Sequence, residues 1–227
     1  MTEPTAARVG LRTALILMAF TVAFTALMAL TYRATKPAID ASAEAEKMRL
    51  VNEVLPAAHY DNAPLADWVE LPPRAELGLT AQDDPVHLLR ARQGGAPAAL
   101  VFEAVAPDGY SGRIRLILAV GADGRLLGAR VISHKETPGL GDYIDPQKDR
   151  NKTAPWIRQF DAKGFAEIPA AEWKVRKDGG HFDARAGATI SARAVTHAVG
   201  RALRFAIENQ DKLYALPAQS VFGKDAP

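Results

Sequence analysis

The sequence contains no cysteine. Disulfides, thiolate nucleophiles, zinc ribbons and iron–sulfur ligation by this chain are thereby excluded, and any redox chemistry must sit on a cofactor held by other residue types. Basic clustering is equally absent. No run of Lys or Arg exceeds two residues, and the formal net charge is +2 over 227 residues. Nothing in that balance supplies the positive stripe that a nucleic-acid partner requires. Internal repeats and low-complexity tracts are also missing, which removes solenoids and disordered arrays from consideration. What remains, at 48% hydrophobic residues, suits one domain of ordinary size with an extra segment.

The most local absence is of charge. Between Arg12 and Arg33 runs "TALILMAFTVAFTALMALTY", Thr13–Tyr32, with no ionisable acid or base of the Asp, Glu, Lys or Arg type. As a helix it would be about 30 Å long, the thickness of a bilayer core. The following "TYRATKPAID" is a poor cleavage site, so the run reads as an uncleaved signal-anchor rather than a removable signal peptide. A helix buried in a globular core would show one polar face, and this one shows none. Arg8 and Arg12 precede the span and Arg33 and Lys36 follow it, so the positive-inside rule barely discriminates. The reading adopted is a short cytoplasmic N-terminus, a single pass through a bacterial inner membrane and an external C-terminal domain.

Beyond the anchor, "IDASAEAEKMRLVNEVLP" places Ile39, Met48, Val51 and Leu55 at helical spacing, ended by Pro56. Residues 57–85 are rich in Pro, Asp and Ala and read as a connector. Strand-like runs Ala98–Ala106 and Gly112–Val120 flank the turn "PDGYSG", and "RLLGARVISH" supplies a third strand after "GADG". This is an antiparallel meander. "KTAPWIRQF" reads as a short helix and "EWKVRKD" as a strand. A final helix runs from about Ser191 to Asn209, with an apolar stripe of Val195, Val199, Ala202, Ala206 and Leu213. The fold class is α+β.

Two loops hold more than turns. In "SHKETPGLGDYI", Ser133–Ile144, the types His134, Glu136 and Asp142 suit a metal, yet their spacing matches no standard ligand motif. Gly139 and Gly141 let the backbone approach a flat or anionic ligand closely. The second loop, "ARAGATIS", strips side chains away before Thr189: Gly187 and Ala188 leave it open to a bulky group. The helix behind it offers unpaired N–H groups and the positive end of its dipole, a setting that favours phosphate. Ser191 is a candidate N-cap and Arg193 a further positive charge. A plain strand-to-helix turn would carry the same tripeptide.

The order anchor, "GYSGRI", "HKETPGLGD", "WKVRKDGGHFD", "AGATISARAV" resembles the G subunit of the Rnf electron-transport complex, from about Val51 to Tyr214 and including the anchor. That family carries flavin mononucleotide (FMN) joined by a phosphoester to the threonine of a Ser/Thr-Gly-Ala-Thr motif. The resemblance implies covalent FMN on Thr189, with Gly187, Ala188 and Ser191 beside it. It also implies flavin contacts from Glu136, Thr137, Gly139 and Leu140. Asp183, three positions ahead of Ala186, matches an acidic residue tied to recognition by the flavin transferase. The motif's first position, usually Ser or Thr, is Ala186 here, which bears on the efficiency of modification. No catalytic acid, base or nucleophile and no bound metal is implied.

On this reading residues 1–12 form the cytoplasmic N-terminus, 13–32 the membrane helix and 33–97 a juxtamembrane helix and connector. Residues 98–215 form an FMN-binding domain with a mainly antiparallel sheet and packed helices, and 216–227 a C-terminal tail. The implied role is that of an electron carrier within a translocase, incomplete as an enzyme alone, coupling ferredoxin/NAD electron flow to ion movement. Its implied partners are the other membrane and iron–sulfur subunits, the flavin transferase and the lipid bilayer, with no nucleic acid. Three alternatives stay open: a counterpart of the C subunit of the sodium-translocating NADH:quinone reductase, which shares both loops; a cofactor-free anchored scaffold; and an external metal hydrolase using His134, Glu136 and His181.

Overall fold

A computed structural model of the chain describes residues 6–223. Residues 1–5 of the expected cytoplasmic segment and 224–227 of the expected tail lie outside the described residues. The chain forms two compact units, Met1–Lys47 and Met48–Pro227.

The first unit is helical throughout its described length, as part of α1 (Ala6–Val54). Thr13, Thr21 and Thr31 turn their hydroxyls back onto the carbonyls of Val9, Leu17 and Leu27 at 2.8–3.0 Å. These three hydroxyls of the charge-free stretch are therefore satisfied within the helix, as a lipid environment favours. The stretch is long and apolar enough to cross a membrane, and none of it is buried. The expected juxtamembrane helix is not a separate element: α1 continues through Pro37.

The second unit is built on a six-stranded sheet in the order β5-β4-β3-β2-β1-β6. Its strands are β1 (Trp68–Leu71), β2 (Val86–Gln93), β3 (Ala96–Gly109), β4 (Gly112–Gly121), β5 (Leu126–Ser133) and β6 (Ser220–Val221). All neighbours are antiparallel except β1 and β6, which run parallel. The expected meander is β3–β4–β5. Residues 57–85, expected as connector, supply β1, and β2 follows from Val86. The segment after Ala215 supplies β6, which closes the sheet's edge against β1.

Both faces of the sheet are covered. On one lies α2 (Thr189–Ala215), whose Ala192, Val195, Val199, Ala202, Leu203 and Ala206 are buried against Leu100, Phe102, Leu116 and Leu118. On the other, Val51, Val54 and Leu55 at the end of α1 pack on Ala91, Ala99, Val101, Ile117 and Ala119. Burying each such valine or leucine stabilises the fold by about 1.5–3 kcal/mol. The approach is close enough that a Cβ on Gly128 of β5 would fall 2.7 Å from the Val54 carbonyl oxygen.

Between β5 and α2 there is no long regular element. The expected helix in "KTAPWIRQF" is a 3-10 turn, Trp156–Phe160. The expected strand "EWKVRKD" is two 3-10 turns, Ala170–Glu172 and Arg176–Asp178, with one isolated bridge from Val175 to Phe182. An aromatic cluster holds this segment in place of a hydrogen-bonded ladder. Trp156 meets Tyr143 and Phe160 edge-on at 5.4 and 5.5 Å, and Phe182 packs on Phe160 and Trp173 at 4.6 and 4.8 Å.

Candidate functional site

The two loops singled out in the sequence meet at the N-terminus of α2. Tyr143, in a 3-10 turn at Gly141–Ile144, bolts them together. Its hydroxyl donates to the Ala188 carbonyl at 3.2 Å and accepts the Arg185 N–H at 3.1 Å. Burial pushes the phenol up, against the lowering effect of the Arg185 N–H and charge, so the hydroxyl keeps the proton it donates. The Arg185 guanidinium lies 4.6 Å from the Tyr143 ring centre and pairs with Asp149.

Within this frame Gly187 adopts a left-handed φ of 84°, and a Cβ built there meets nothing within 4 Å. The glycine is needed for its backbone, and its outer side is open. Ala188 is buried and forms the N-cap of α2 with no side-chain cap bond. Thr189 is half-buried and Ile190 exposed. The helix start therefore has no side-chain cap, and its first residue is a half-open threonine.

Ser191, expected as the cap, plays another part. It is buried, and its hydroxyl donates to the Glu136 carboxylate. Glu136 is itself only 4% exposed; its other oxygen accepts the Ser111 N–H at 3.0 Å. Arg193 does not lend its charge to the helix start, because Asp178 holds it in a two-bonded fork at 2.5 and 2.8 Å. Thr196 is buried and bonded to the Ala192 carbonyl. Of the three nearby hydroxyl residues, only Thr189 is accessible.

Glu136 is thus drawn into the protein, whereas Lys135 before it and Pro138, Gly139 and Leu140 after it are exposed. The Thr137 carbonyl accepts the N–H groups of Leu140 and Gly141, both at 3.1 Å. Gly139 has φ 75° and donates to Asp142 at 3.0 Å. Leu140 is 55% exposed. Gly141 is required by packing, since a Cβ there would fall 2.6 Å from Ser191 Oγ and 2.9 Å from Glu136 Oε2. Gly139, Leu140, Asp142, Tyr143, Lys148, Arg150, Arg185 and Ala186 line a cleft of about 140 Å³. Arg185 is already paired with Asp149, so Lys148 and Arg150 against Asp142 leave the cleft an excess of one positive charge, which suits an anion. Lys148 and Arg150 escaped the sequence reading; no motif marks them, and only the fold brings them to Ala186.

Asp183 sits apart from this cleft. Its main chain is clamped by Trp156 and Gln159, while its carboxylate is exposed and reaches Arg176 at 3.2 Å. The metal reading loses its geometry. His134 Nδ1 accepts the Glu136 N–H at 3.1 Å, and no metal-holding group of three His, Asp or Glu occurs among the described residues.

An open left-handed glycine, an uncapped helix start, an accessible threonine and a basic cleft together fit a phosphate-bearing cofactor. Comparison with known proteins gives that class its name: the FMN-binding domain family matches residues 109–204, a range containing every site residue discussed above. The RnfG N-terminal region family matches residues 1–54. The chain is 43% identical over 205 residues to the G subunit of the ion-translocating oxidoreductase complex of Pseudomonas aeruginosa (strain UCBPP-PA14), covering 90% of this chain and 92% of the relative. It is 40% identical over 203 residues to the corresponding protein of Vibrio cholerae serotype O1 (strain O395), covering 89% and 93%. To that of Shewanella loihica it is 39% identical over 207 residues, covering 91% and 94%. The chain belongs to this family, the G subunits of ion-translocating oxidoreductase complexes, as the resemblance in its motifs implied.

Proposed function

We propose that this chain is a membrane-anchored flavoprotein electron carrier within an ion-translocating oxidoreductase, with FMN joined to Thr189 through a phosphoester. The observation that carries the reading is the accessible Thr189 hydroxyl residue, placed at the uncapped start of α2 behind Gly187. When bound, FMN supplies the electron chemistry. The chain's own residues do the holding. The helix N–H groups and the cleft cations Lys148 and Arg150 offset phosphate charge, with Arg185 held beside them by Asp149. Tyr143 fixes the loop, and Glu136 fixes the turn of α2 that follows Thr189. Thr137, Gly139 and Leu140 form the outward wall.

Asp183, exposed beside the loop, remains the proposed recognition point for a flavin transferase. The further proposed partners are the membrane and iron–sulfur subunits of an Rnf-type complex moving electrons between ferredoxin and NAD, with the second unit on the periplasmic side of a bacterial inner membrane. Names of the relatives and the match to the RnfG N-terminal region support this over the quinone-reductase alternative.

Thr189→Val tests the reading. Valine keeps the shape and removes the hydroxyl to be esterified. Protein made with an active transferase is expected to lose all denaturant-resistant flavin while keeping its circular dichroism. Retention of covalent flavin in the variant would refute the assignment.

A further inference from the structure

A cavity of about 410 Å³ opens on the face of α2 that carries His197, Gly200, Arg201, Arg204 and Glu208. Small-molecule sites occupy about 300–1,000 Å³, whereas the cleft at Ala186 has about 140 Å³. The cavity begins at His197, about 12 Å along α2 from Thr189. It shares no lining residue with the cleft at Ala186. Its floor is aromatic and fixed in place. Phe205 is 2% exposed and Trp173 4%. The Trp173 indole N–H donates to the Ile168 carbonyl at 3.0 Å, and its ring meets Phe165 edge-on at 5.4 Å. Gly200 lets the indole lie close to α2, since a Cβ there would fall 3.3 Å from Trp173 Cβ.

The rim is charged. Lys174, Arg201 and Arg204 stand against Glu76 and Glu208. Among the described residues none of these five is in an ion pair, not even Arg204 and Glu208 one turn apart. By contrast Arg90, Arg113, Arg185 and Arg193 are each held by an aspartate. Arg201 makes only a 3.5 Å bond to the Val105 carbonyl, and the Arg204 guanidinium lies 5.8 Å from the Phe165 ring centre. Burial holds the His197 imidazole below its usual range, so it adds no charge at neutral pH. Arg74 lies beside Glu76, and Asp108 acts on His197. Counting both, four cations face three carboxylates, an excess of one positive charge. A guanidinium binds a carboxylate with two parallel bonds and stacks on flat rings. We propose that this cavity is a second ligand site, for a small aromatic carboxylate whose ring packs against Phe165 and Trp173 and whose anionic group is held by Arg201 and Arg204. The site is independent of flavin on Thr189.

The experiment titrates full-length chain, made with an active flavin transferase and held in zwitterionic lipid nanodiscs, by calorimetry. The probes are 2-naphthoate and 2-naphthylmethylammonium, the same ring with opposite charges, and empty nanodiscs give the lipid background. The proteins are wild type, Arg204→Gln, Glu208→Gln, Lys148→Gln and Thr189→Val. Arg204 and Glu208 are exposed, so their replacement leaves the core untouched. Wild type is expected to bind one naphthoate per chain saturably, and the ammonium far more weakly. Arg204→Gln is expected to weaken naphthoate about tenfold through loss of a charge-assisted contact. Glu208→Gln is expected to tighten it severalfold, a gain that a misfolded variant cannot show. Lys148→Gln, in the cleft at Ala186, and Thr189→Val are expected to match wild type. Absence of saturable binding to wild type, equal affinity for the two probes, or equal affinity of wild type, Arg204→Gln and Glu208→Gln would overturn the proposal. Binding to Thr189→Val but not to flavin-bearing wild type would overturn it too, because the cavity would then be occupied by the protein's own flavin.

Discussion

Thr189 and Ser191 carry the same chemical group two positions apart, yet the fold places them in opposite settings. Thr189 is half open, while Ser191 is buried with its hydroxyl on Glu136. Ser191→Ala is therefore expected to leave flavin attachment intact and to cost stability. The variant strands one oxygen of a buried carboxylate, which is destabilising by about 1–3 kcal/mol. Urea unfolding measures the loss; a change within error of zero would mean that the Glu136 bond contributes nothing net. The open position of Thr189 at the start of α2 was legible because its cue is local, a run of small residues opening a helix. Ser191 looked like a cap for the same local reason. Its true partner is 55 residues away, and no window around Ser191 contains it.

At the scale of elements, the long apolar strands β3, β4 and β5 and the stripe of α2 were legible from periodicity. Strand β2, "VHLLRARQ", was not, because Arg90 and Arg92 interrupt its apolar pattern. Arg90 is nonetheless 2% exposed. Asp67 pairs with it, and it donates to the carbonyls of Leu213 and Leu216 at the end of α2 at 2.9 and 2.5 Å. A buried arginine is tolerable only with such partners, and all of them come from distant segments. The connection Gly141–Ala188 was misread for a related reason: it is held by aromatic packing and by Asp149 rather than by a periodic ladder.

Asp149 organises that connection. Burial pushes its carboxyl up, but N–H bonds from Trp156 and Asn151 and the Arg185 guanidinium outweigh this and hold it below the usual carboxylate range. A depressed carboxyl contributes stability that is present above its unfolded pKa and is lost as pH falls through its folded one. Wild type is thus expected to lose stability on acidification from about pH 4 downward. Asp149→Asn should be less stable at neutral pH and show a flatter acid limb in urea unfolding at a series of pH values. Parallel acid limbs for the two proteins would remove Asp149 from this role. Because Arg185 lines the basic cleft, the same variant is expected to loosen the cleft.

For the whole molecule, the division at Lys47 and Met48 has a direct consequence. The buried residues of α1 are Val51 and Val54, and they belong to the second unit's core. A chain beginning at Met48 is expected to be soluble and folded, whereas one beginning at Pro56 uncovers Ala99, Val101 and Ala119 and is expected to aggregate. Size-exclusion chromatography with circular dichroism distinguishes them, and equal behaviour of the two would deny the end of α1 its packing role. The full-length chain, by contrast, is expected to stay with membranes through carbonate washing. An apolar helix, a sheet covered on both faces and one open threonine at a helix start suit the design we propose, a flavin kept by a covalent bond on an anchored domain.

That design is tested most directly on one peptide. Trypsin cutting after Arg185 and Arg193 releases Ala186–Arg193. Mass spectrometry of wild-type protein made with an active flavin transferase is expected to find this peptide heavier by one esterified FMN, with fragmentation placing the added mass on Thr189. An unmodified peptide, or added mass on Ser191, would contradict the assignment.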